Sequence, residues 1–482
     1  MELQLYDTLT RAKRPFRPLE EGKVRMYHCG PTVYQRPHIG NYRAFLFADL
    51  LRRWFEANGL EVLQVMNLTD VGHLTDDGDA GEDKLQAEAE RTKVDPWEIV
   101  SRVSEAFFAD LDALGVVPAH HYPRATDHIP EMVEMTEALI AKGHAYRVGD
   151  NVYFDVSSFP AYGALSGNRV EDLEAGARLE VNPEKRHPAD FALWKSDPHH
   201  LMKWDTVFGE HGFPGWHIEC SAMARRYLGD RFDIHTGGED NVFPHHECEI
   251  AQSECALGHP FVELWMHTRF LQVDGGKMSK SLGNVYSLDD LRGRGFSPWD
   301  FRFLVMRGHY RTSLNFTWEV LKGTAEARKS LVDLASRLQP EAAGLDVLAT
   351  PALLAEARGG AAVAPVVEEF LAALADDLNA SVAVAALFGL RSAVLQPDFP
   401  AQQRRAAAAL LAAADRILGL FEPAAADAGD GLSDAEVEEL VAARTAAKQA
   451  RDFAAADELR DRLAAAGIVV EDTPQGPSWH RG

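Results

Sequence analysis

The chain is poor in cysteine, has no long apolar run and carries no excess of positive charge. Only four of the 482 residues are cysteine, at positions 29, 220, 248 and 255, and no two form a Cys-x-x-Cys pair. That spacing argues against a disulfide-stapled fold or a zinc knuckle and leaves the thiols free or as scattered metal ligands. No uncharged apolar stretch approaches the roughly 20 residues that cross a bilayer, so no membrane partner is expected. The first residues, MELQLYDTLTRAKRPFRPLE, lack the apolar core and small-residue cleavage site of an export signal, and a cytoplasmic location is expected. The 49 Lys and Arg are outnumbered by 73 Asp and Glu, a net charge of -24. A nucleic-acid binder usually shows the opposite. One stretch runs the other way: Arg292, Arg294, Arg302, Arg307, Arg311, Lys322, Arg328, Lys329 and Arg337 outnumber the acids among them. They suit either a local polyanion surface or a solvated helical face.

The composition present is that of a globular protein, 46% hydrophobic and 25% charged, and its length suggests roughly three to four domains. KVRMYHC and LEVLQVMNLTD read as buried strands, with a helix between them marked by Phe47, Leu50, Leu51, Trp54 and Phe55 at helical spacing and Gly59 as its cap. A βαβ unit of this kind predicts an α/β fold with a parallel Rossmann-type sheet and ligands beyond the carboxyl ends of its strands. The expected order is a first Rossmann half over 1–125, an insertion of short aromatic strands over 126–212, and a second half over 213–290. An all-α stem and bundle over 291–425 and a small α+β module over 433–482 follow, the latter opened by Ser433 and Glu436 as a capping box.

Two segments carry chemistry. In HCGPTVYQRPHIGN, residues 28 to 41, His38, Ile39, Gly40 and Asn41 open the helix at the ligand end of the sheet. Backbone N–H groups and the positive dipole end there suit a triphosphate, with His38 and Asn41 as donors and Gly40 admitting close approach. Taken alone, the tetrad is also what a helix-capping loop contains. In GGKMSKSLGN, residues 275 to 284, Lys277 and Lys280 stand three apart in a glycine-flanked loop, suited to the charge developing on a pyrophosphate leaving group, or to a solvated basic turn.

His38-Ile39-Gly40-Asn41 and Lys277-Met278-Ser279-Lys280-Ser281 resemble the HIGH and KMSKS signatures of class I aminoacyl-tRNA synthetases. CGPTVY, GWHIECSAM, FPHHE, GHYR with LNF, and the terminal RDFAAADELRDRLAAAGIVVEDTPQGPSW resemble the cysteinyl-tRNA synthetase family, over nearly the entire chain. The resemblance implies an ATP-dependent ligase, with magnesium accompanying ATP, that forms cysteinyl-adenylate and passes L-cysteine to tRNA(Cys). It implies catalytic roles for His38, Asn41, Lys277 and Lys280, ATP contacts from His38, Gly40, Asn41, Gly237, Gly238 and Lys280, and an amino-acid pocket of Cys29, Gly30, Thr69 and Trp216. The bundle and terminal module are implied to face tRNA, with Trp479 and Arg481 against exposed bases. A monomer is expected.

His245 and Glu249, at i and i+4, share a helical face, and Cys220 and Cys29 fall where they can converge with them, as metal donors or as buried thiols beside a satisfied histidine. The resemblance makes these four the ligands of one zinc ion. Zinc gives a reason for the arrangement: sulfur and oxygen are near-isosteres that a pocket separates poorly, whereas a soft ion takes a thiolate and leaves an alcohol. Asn41 replaces the second histidine of the signature. Cys248, at i+3 from His245, is within expected reach of the metal or of oxidation, and His246 is expected to point about 100 degrees away from the face shared with Glu249. Two other readings remain: a cysteine ligase of mycothiol synthesis acting on an amino sugar, which lacks the long helical C-terminal half in this form, and a non-catalytic tRNA or nucleotide scaffold, which degenerate loop lysines would favour.

Overall fold

The computed structural model describes residues 2–72, 84–169, 182–279, 282–347, 349–422, 434–449, 456, 459, 463, 468–473 and 476–481. It divides into two compact units, Met1–Leu420 and Phe421–Gly482.

The first unit opens with an antiparallel hairpin, β1 (Gln4–Asp7) and β2 (Ala12–Pro15). β3 (Lys23–His28), α1 (Ile39–Ala57) and β4 (Glu61–Met66) form the expected βαβ unit. The helix ends at Asn58, and Gly59 takes φ +79 one place beyond, where a side chain would be strained. α2 (Lys84–Thr92), α3 (Pro96–Ala113) and α4 (Ile129–Ala141) follow. The chain then builds an antiparallel sheet of β5 (Ala145–Val148), β6 (Asn151–Phe154), β7 (Phe191–Ser196), β8 (Trp204–Thr206) and β9 (Gly209–Pro214), in the order β5-β6-β7-β9-β8.

The parallel sheet resumes with α5 (Trp216–Leu228), β10 (Phe232–Gly238), α6 (Glu247–Leu257) and β11 (Val262–Thr268). Its order is β11-β10-β3-β4. The chain leaves β3 toward β4 on one side and returns to β10 on the other, which makes the β3–β10 boundary a topological switch point with a crevice at the carboxyl ends. Register aligns those ends: His28 pairs with Thr236 and with Met66. Cys29 and Asn67 therefore leave the sheet side by side, level with Gly237 near the end of β10. β10 is buried through six of its seven residues, as a strand covered on both faces must be.

β12 (Leu271–Val273) pairs in parallel with β13 (Leu314–Phe316) around α7 (Leu288–Gly293) and α8 (Pro298–Met306). The helical part continues as α9 (Trp318–Ala342), α10 (Thr350–Arg358), α11 (Ala364–Ala375), α12 (Ala380–Val394) and α13 (Arg404–Leu418). Ala406, Ala407, Ala408, Ala409, Ala413 and Ala414 are buried in α13, small enough to admit close neighbours.

Much of the basic stretch is paired within the protein. Arg302 is fully buried, paired with Asp49 at 2.5 Å and donating to the Leu418 and Gly419 carbonyls that end α13. Arg292 pairs with Asp289, Arg311 with Asp377 and Arg328 with Asp300, Arg307 donates to Thr324, and Arg294 lies over the Trp318 ring. These cations tie the helices together; exposed Lys322, Lys329 and Arg337 alternate with Glu326 and Asp333 on α9.

The second unit contains α14 (Asp434–Gln449), with Val437 and Val441 buried, and an antiparallel hairpin of β14 (Ile468–Thr473) and β15 (Gly476–Arg481). Ser433, the side chain of Glu436 and those of Trp479 and Arg481 lie outside the described residues. Among the described residues no helix is long and apolar enough to cross a membrane.

Candidate functional site

A cleft of about 270 Å³ lies at the carboxyl ends of β3 and β4, and His38, Asn41, Gly30, Thr69 and Trp216 all line it. His38 is the N-cap of α1. Its Nδ1 accepts from the Gly40 N–H at 3.1 Å, which sets the tautomer and leaves the proton on Nε2 as the ring's donor. Asn41 Oδ1 accepts from the His38 N–H at 3.0 Å, so its NH2 group is the end that can donate. The cradle of free N–H groups expected here is reduced, because the Ile39 N–H is taken by the Tyr286 carbonyl at 2.9 Å and that of Gly40 by the His38 ring. Anion binding at this turn falls to side chains.

Gly40 admits a close approach, though of protein: a Cβ there would stand 2.2 Å from Met278 Cε. The two signature segments thus touch. Lys277 is exposed, its Nζ 6.0 Å from the Phe270 ring centroid. Asn284, which the sequence did not single out, closes the loop by accepting from the Ser279 N–H at 2.8 Å and donating to the Lys277 carbonyl at 3.2 Å. Lys280 and Ser281 lie outside the described residues. Gly237 and Gly238 are absent from the cleft lining; they are glycine because Asn241 and His246 crowd the first and Asp240 the second, with the Gly238 N–H donating to Asn241 Oδ1 at 2.9 Å. It is Asp240 and Asn241 that line the cleft in their place, and the desolvated Asp240 carboxyl sits above its ordinary pKa.

Asn67 organises the amino-acid side. Its Oδ1 accepts from the Gly30 N–H at 2.8 Å, its amide donates to Thr69 Oγ1 at 3.1 Å, and the Thr69 hydroxyl donates to buried Glu219 at 2.8 Å. A Cβ on Gly30 would fall 1.7 Å from the Asn67 carbonyl oxygen, so only glycine fits. The Trp216 ring, at the first position of α5, packs 4.9 Å from His245 and carries the pocket to the donor cluster.

Cys29, Cys220, His245 and Glu249 each offer one donor atom within 4.8 Å of the others. Cys220, His245 and Glu249 are buried, at 1%, 3% and 0% exposure, while Cys29 is partly exposed. His245 Nε2 is 3.1 Å from Glu249 Oε1 and Cys29 Sγ is 3.9 Å from it. Burial opposes ionisation of Glu249, but His235 and His245 outweigh it and hold the carboxyl at about 2. Burial also raises the Cys29 thiol, and Cys220 is held well above its ordinary value by its hydrogen bond to Cys29 and by burial. Two thiols, that of Cys220 buried and that of Cys29 partly so, beside an ionised carboxylate and an imidazole are costly to gather unless a cation joins them, and the donor set fits a divalent, borderline-soft ion such as zinc.

Two expectations are corrected. His246 does not point away: its Nε2 lies 3.1 Å from Cys29 Sγ and 3.8 Å from Glu249, and Cys29, His235, His246 and Glu249 form a second group of the same tightness. Residues 242–246 form a π turn with Phe243 extended, so the regular helical phase between His245 and His246 does not apply. Cys248 faces the other way, 0% exposed in the core, with its Sγ 3.3 Å from the Tyr162 hydroxyl, and belongs to neither group. A hydrogen-bonded chain that sequence spacing could not reveal runs behind the cluster: Thr8 to His267 at 2.8 Å, His267 to His246 at 2.7 Å.

The chain therefore joins a helix-capping turn, a cleft and a thiol-containing donor group that fits a metal at one switch point. Residues 15–326 match the model of the tRNA synthetases class I (C) catalytic domain, and residues 430–479 that of the cysteinyl-tRNA ligase anticodon binding domain. Curated cysteine–tRNA ligases align over nearly full length: one from Thermus thermophilus is 44% identical with 99% of each chain covered, that of Chlorobaculum tepidum 41% with 99% of each, and that of Deinococcus radiodurans 43% with 99% of this chain and 97% of the relative. Among solved structures, Mycobacterium tuberculosis methionyl-tRNA synthetase in complex with methionyl-adenylate shares the fold at a TM-score of 0.56 and 14% identity, covering 82% of this chain and 90% of that one. Two domain models in the right order and this depth of full-length identity lead to one conclusion: the chain belongs to the cysteinyl-tRNA ligase family of class I synthetases.

Proposed function

We propose that this chain ligates L-cysteine to tRNA(Cys) at the expense of ATP, choosing cysteine over serine at a zinc ion held by Cys29, Cys220, His245 and Glu249. The observation that carries the reading is this donor group, with two thiols, set one residue from Gly30 and in ring contact with Trp216 at the end of the cleft. The ion, when bound, supplies a soft Lewis acid that favours a thiolate over a hydroxyl.

The chain's own groups do the rest. Thr69 and Trp216 orient the amino acid beside the cluster. Its carboxylate oxygen attacks the α-phosphorus of ATP, the bond to the bridging oxygen breaks, and pyrophosphate leaves with the electron pair. His38 Nε2–H, the Asn41 amide, Lys277 and Lys280 stabilise the phosphate charge as it develops, with magnesium accompanying the nucleotide. In the second step a terminal ribose hydroxyl of tRNA attacks the activated carboxyl carbon, its proton is released and AMP departs. The C-terminal module, Phe421–Gly482, takes the anticodon, with Trp479 and Arg481 as base contacts. The site is built from one chain, in keeping with a cytoplasmic enzyme that works as a monomer.

ATP–pyrophosphate exchange with cysteine and serine in parallel tests the reading. Exchange with cysteine alone is expected, with about one zinc per chain by elemental analysis; equal exchange with serine overturns selection at the metal, and no exchange with either overturns the ligase.

A further inference from the structure

The segment GHYR, residues 308–311, has no part in the proposed adenylation, yet two buried charged side chains converge on it. Arg43 stands on α1, five residues after His38, and is 2% exposed. Its guanidinium is bonded to backbone carbonyls. Nη1 donates to those of Arg269 and Phe270, each at 2.7 Å, and Nη2 to those of His309, at 3.1 Å, and Thr312. Glu239, whose charge favours the cation, directs its own oxygens to the Arg269 side chain and the Phe270 N–H. Burial pulls the Arg43 pKa down to about 10, so the group is still a cation at neutral pH. Burying a charge against carbonyls is costly, and a planar fork of donors is what lets one side chain hold two chain segments at once.

Those two segments are the roots of the loop that carries Lys277. Arg269 and Phe270 run directly into β12, which leads to residues 274–277, and Thr312 lies two residues before β13, the parallel partner of β12. The pair is prolonged by the Asp274 N–H donating to the Phe316 carbonyl at 3.0 Å and the Gly275 N–H to Asn315 Oδ1 at 2.8 Å. Asp377, between α11 and α12 and 1% exposed, holds the side chains of the same GHYR segment, accepting from the Tyr310 hydroxyl and from Arg311 Nε–H, each at 2.6 Å. It does so at φ +62, a backbone that costs a residue with a side chain and is kept where surrounding bonds require it. Neither Arg43 nor Asp377 is in the cleft lining, so each acts through the segments it holds. We infer that Arg43 is a positioning residue for adenylation: it fixes the root of the lysine loop to the helix headed by His38, with Asp377 bracing the GHYR segment, so that His38 and Lys277 meet one phosphate chain. Groups that stabilise developing charge lose their effect when displaced by about 1 Å, which gives such a tie its value. The inference rests on the proposed function and deepens it.

Arg43→Lys tests it, because it keeps the charge and removes the fork. It should lower kcat for cysteine-dependent ATP–pyrophosphate exchange about 10- to 100-fold, with the KM for cysteine and bound zinc within about two-fold. In a double-mutant cycle Lys277→Ala should absorb the effect, R43K costing less than about three-fold once that lysine is gone. Trypsin should cut within residues 275–284 about ten-fold faster in R43K than in the wild type, at a temperature where both are folded. Asp377→Asn, which weakens the bond to Arg311 at nearly constant shape, should lower kcat about three-fold and be absorbed in the same way. Wild-type kcat in folded R43K, or a loss that simply adds to that of K277A, overturns the positioning role; where R43K does not fold, D377N decides by the same two criteria. If the wild type shows no exchange with cysteine, the proposed function fails, and equal rates of loop cleavage in wild type and R43K then overturn the tie separately.

Discussion

The two ends of the cleft are built in opposite ways. At the metal-donor end, Cys220, His245 and Glu249 are buried, and Glu249 is held by His235 on one oxygen and His245 on the other. At the phosphate end, Lys277 is exposed, and the Asn284 side chain holds its loop through two hydrogen bonds to backbone groups. Selection between sulfur and oxygen needs donors fixed in place, because a loose cluster would accept either atom. Charge that appears only during reaction is better met by groups free to follow it. The contrast is one of burial, and burial follows from where each segment leaves the sheet.

The largest expected break in this comparison is Glu249→Gln. It removes the one ionised donor, and both bound zinc by elemental analysis and cysteine-dependent exchange should fall by about 100-fold or more, beyond the 10- to 100-fold typical of outer partners. Arg302→Met comes next and acts on stability. Burial opposes ionisation of Asp49, yet Arg302 and Arg53 outweigh it and lower its pKa; removing Arg302 leaves this carboxylate with Arg53 as its one cation and should cost about 2–3 kcal/mol, short of the roughly 3–5 kcal/mol of a fully stranded charge, read as a lower urea midpoint. The sign of the pH dependence follows. With its folded pKa depressed, Asp49 contributes stability above its unfolded pKa of 3.8, and that contribution is lost as pH falls through the folded value. The gap between wild type and R302M should close in that acid limb. Asn284→Ala should lower kcat for exchange about ten-fold with zinc content unchanged, because it frees only the loop. Gly40→Ala displaces the flexible Met278 side chain and should raise the KM for ATP only a few-fold. Smallest of all, Cys248→Ala should leave zinc and exchange unchanged and cost roughly 1–2 kcal/mol in a melt, since this thiol lies in the core beside the Tyr162 hydroxyl and outside the metal-donor groups.

Much of the architecture was legible. The alternation of β-branched and helical segments around His28 and Met66 predicts the βαβ unit, and His38 opens α1 as expected. The i, i+4 spacing of His245 and Glu249 predicts a contact, observed at 3.1 Å. The histidines behind the cluster were not legible, because His235, His246 and His267 meet across β10, the π turn and β11, and no local period links them. Asn67 and Asn284 escaped notice for a related reason. Each acts through backbone groups 37 and 7 residues away, where any residue type can stand. The basic stretch from Arg292 to Arg337 left two readings open for the converse reason: the carboxylates that neutralise Arg302 and Arg311 come from Asp49 and Asp377, far along the chain.

The chain by itself determined which donors and which charged groups exist, and the strands and helices that carry them, because side-chain chemistry and hydrophobic period are local properties. Tertiary structure alone decided which thiols and imidazoles face one another. The reason is register: pairing His28 with both Thr236 and Met66 brings Cys29 and Asn67 out of the sheet together, level with Gly237 of β10, and no property of a single segment sets that alignment.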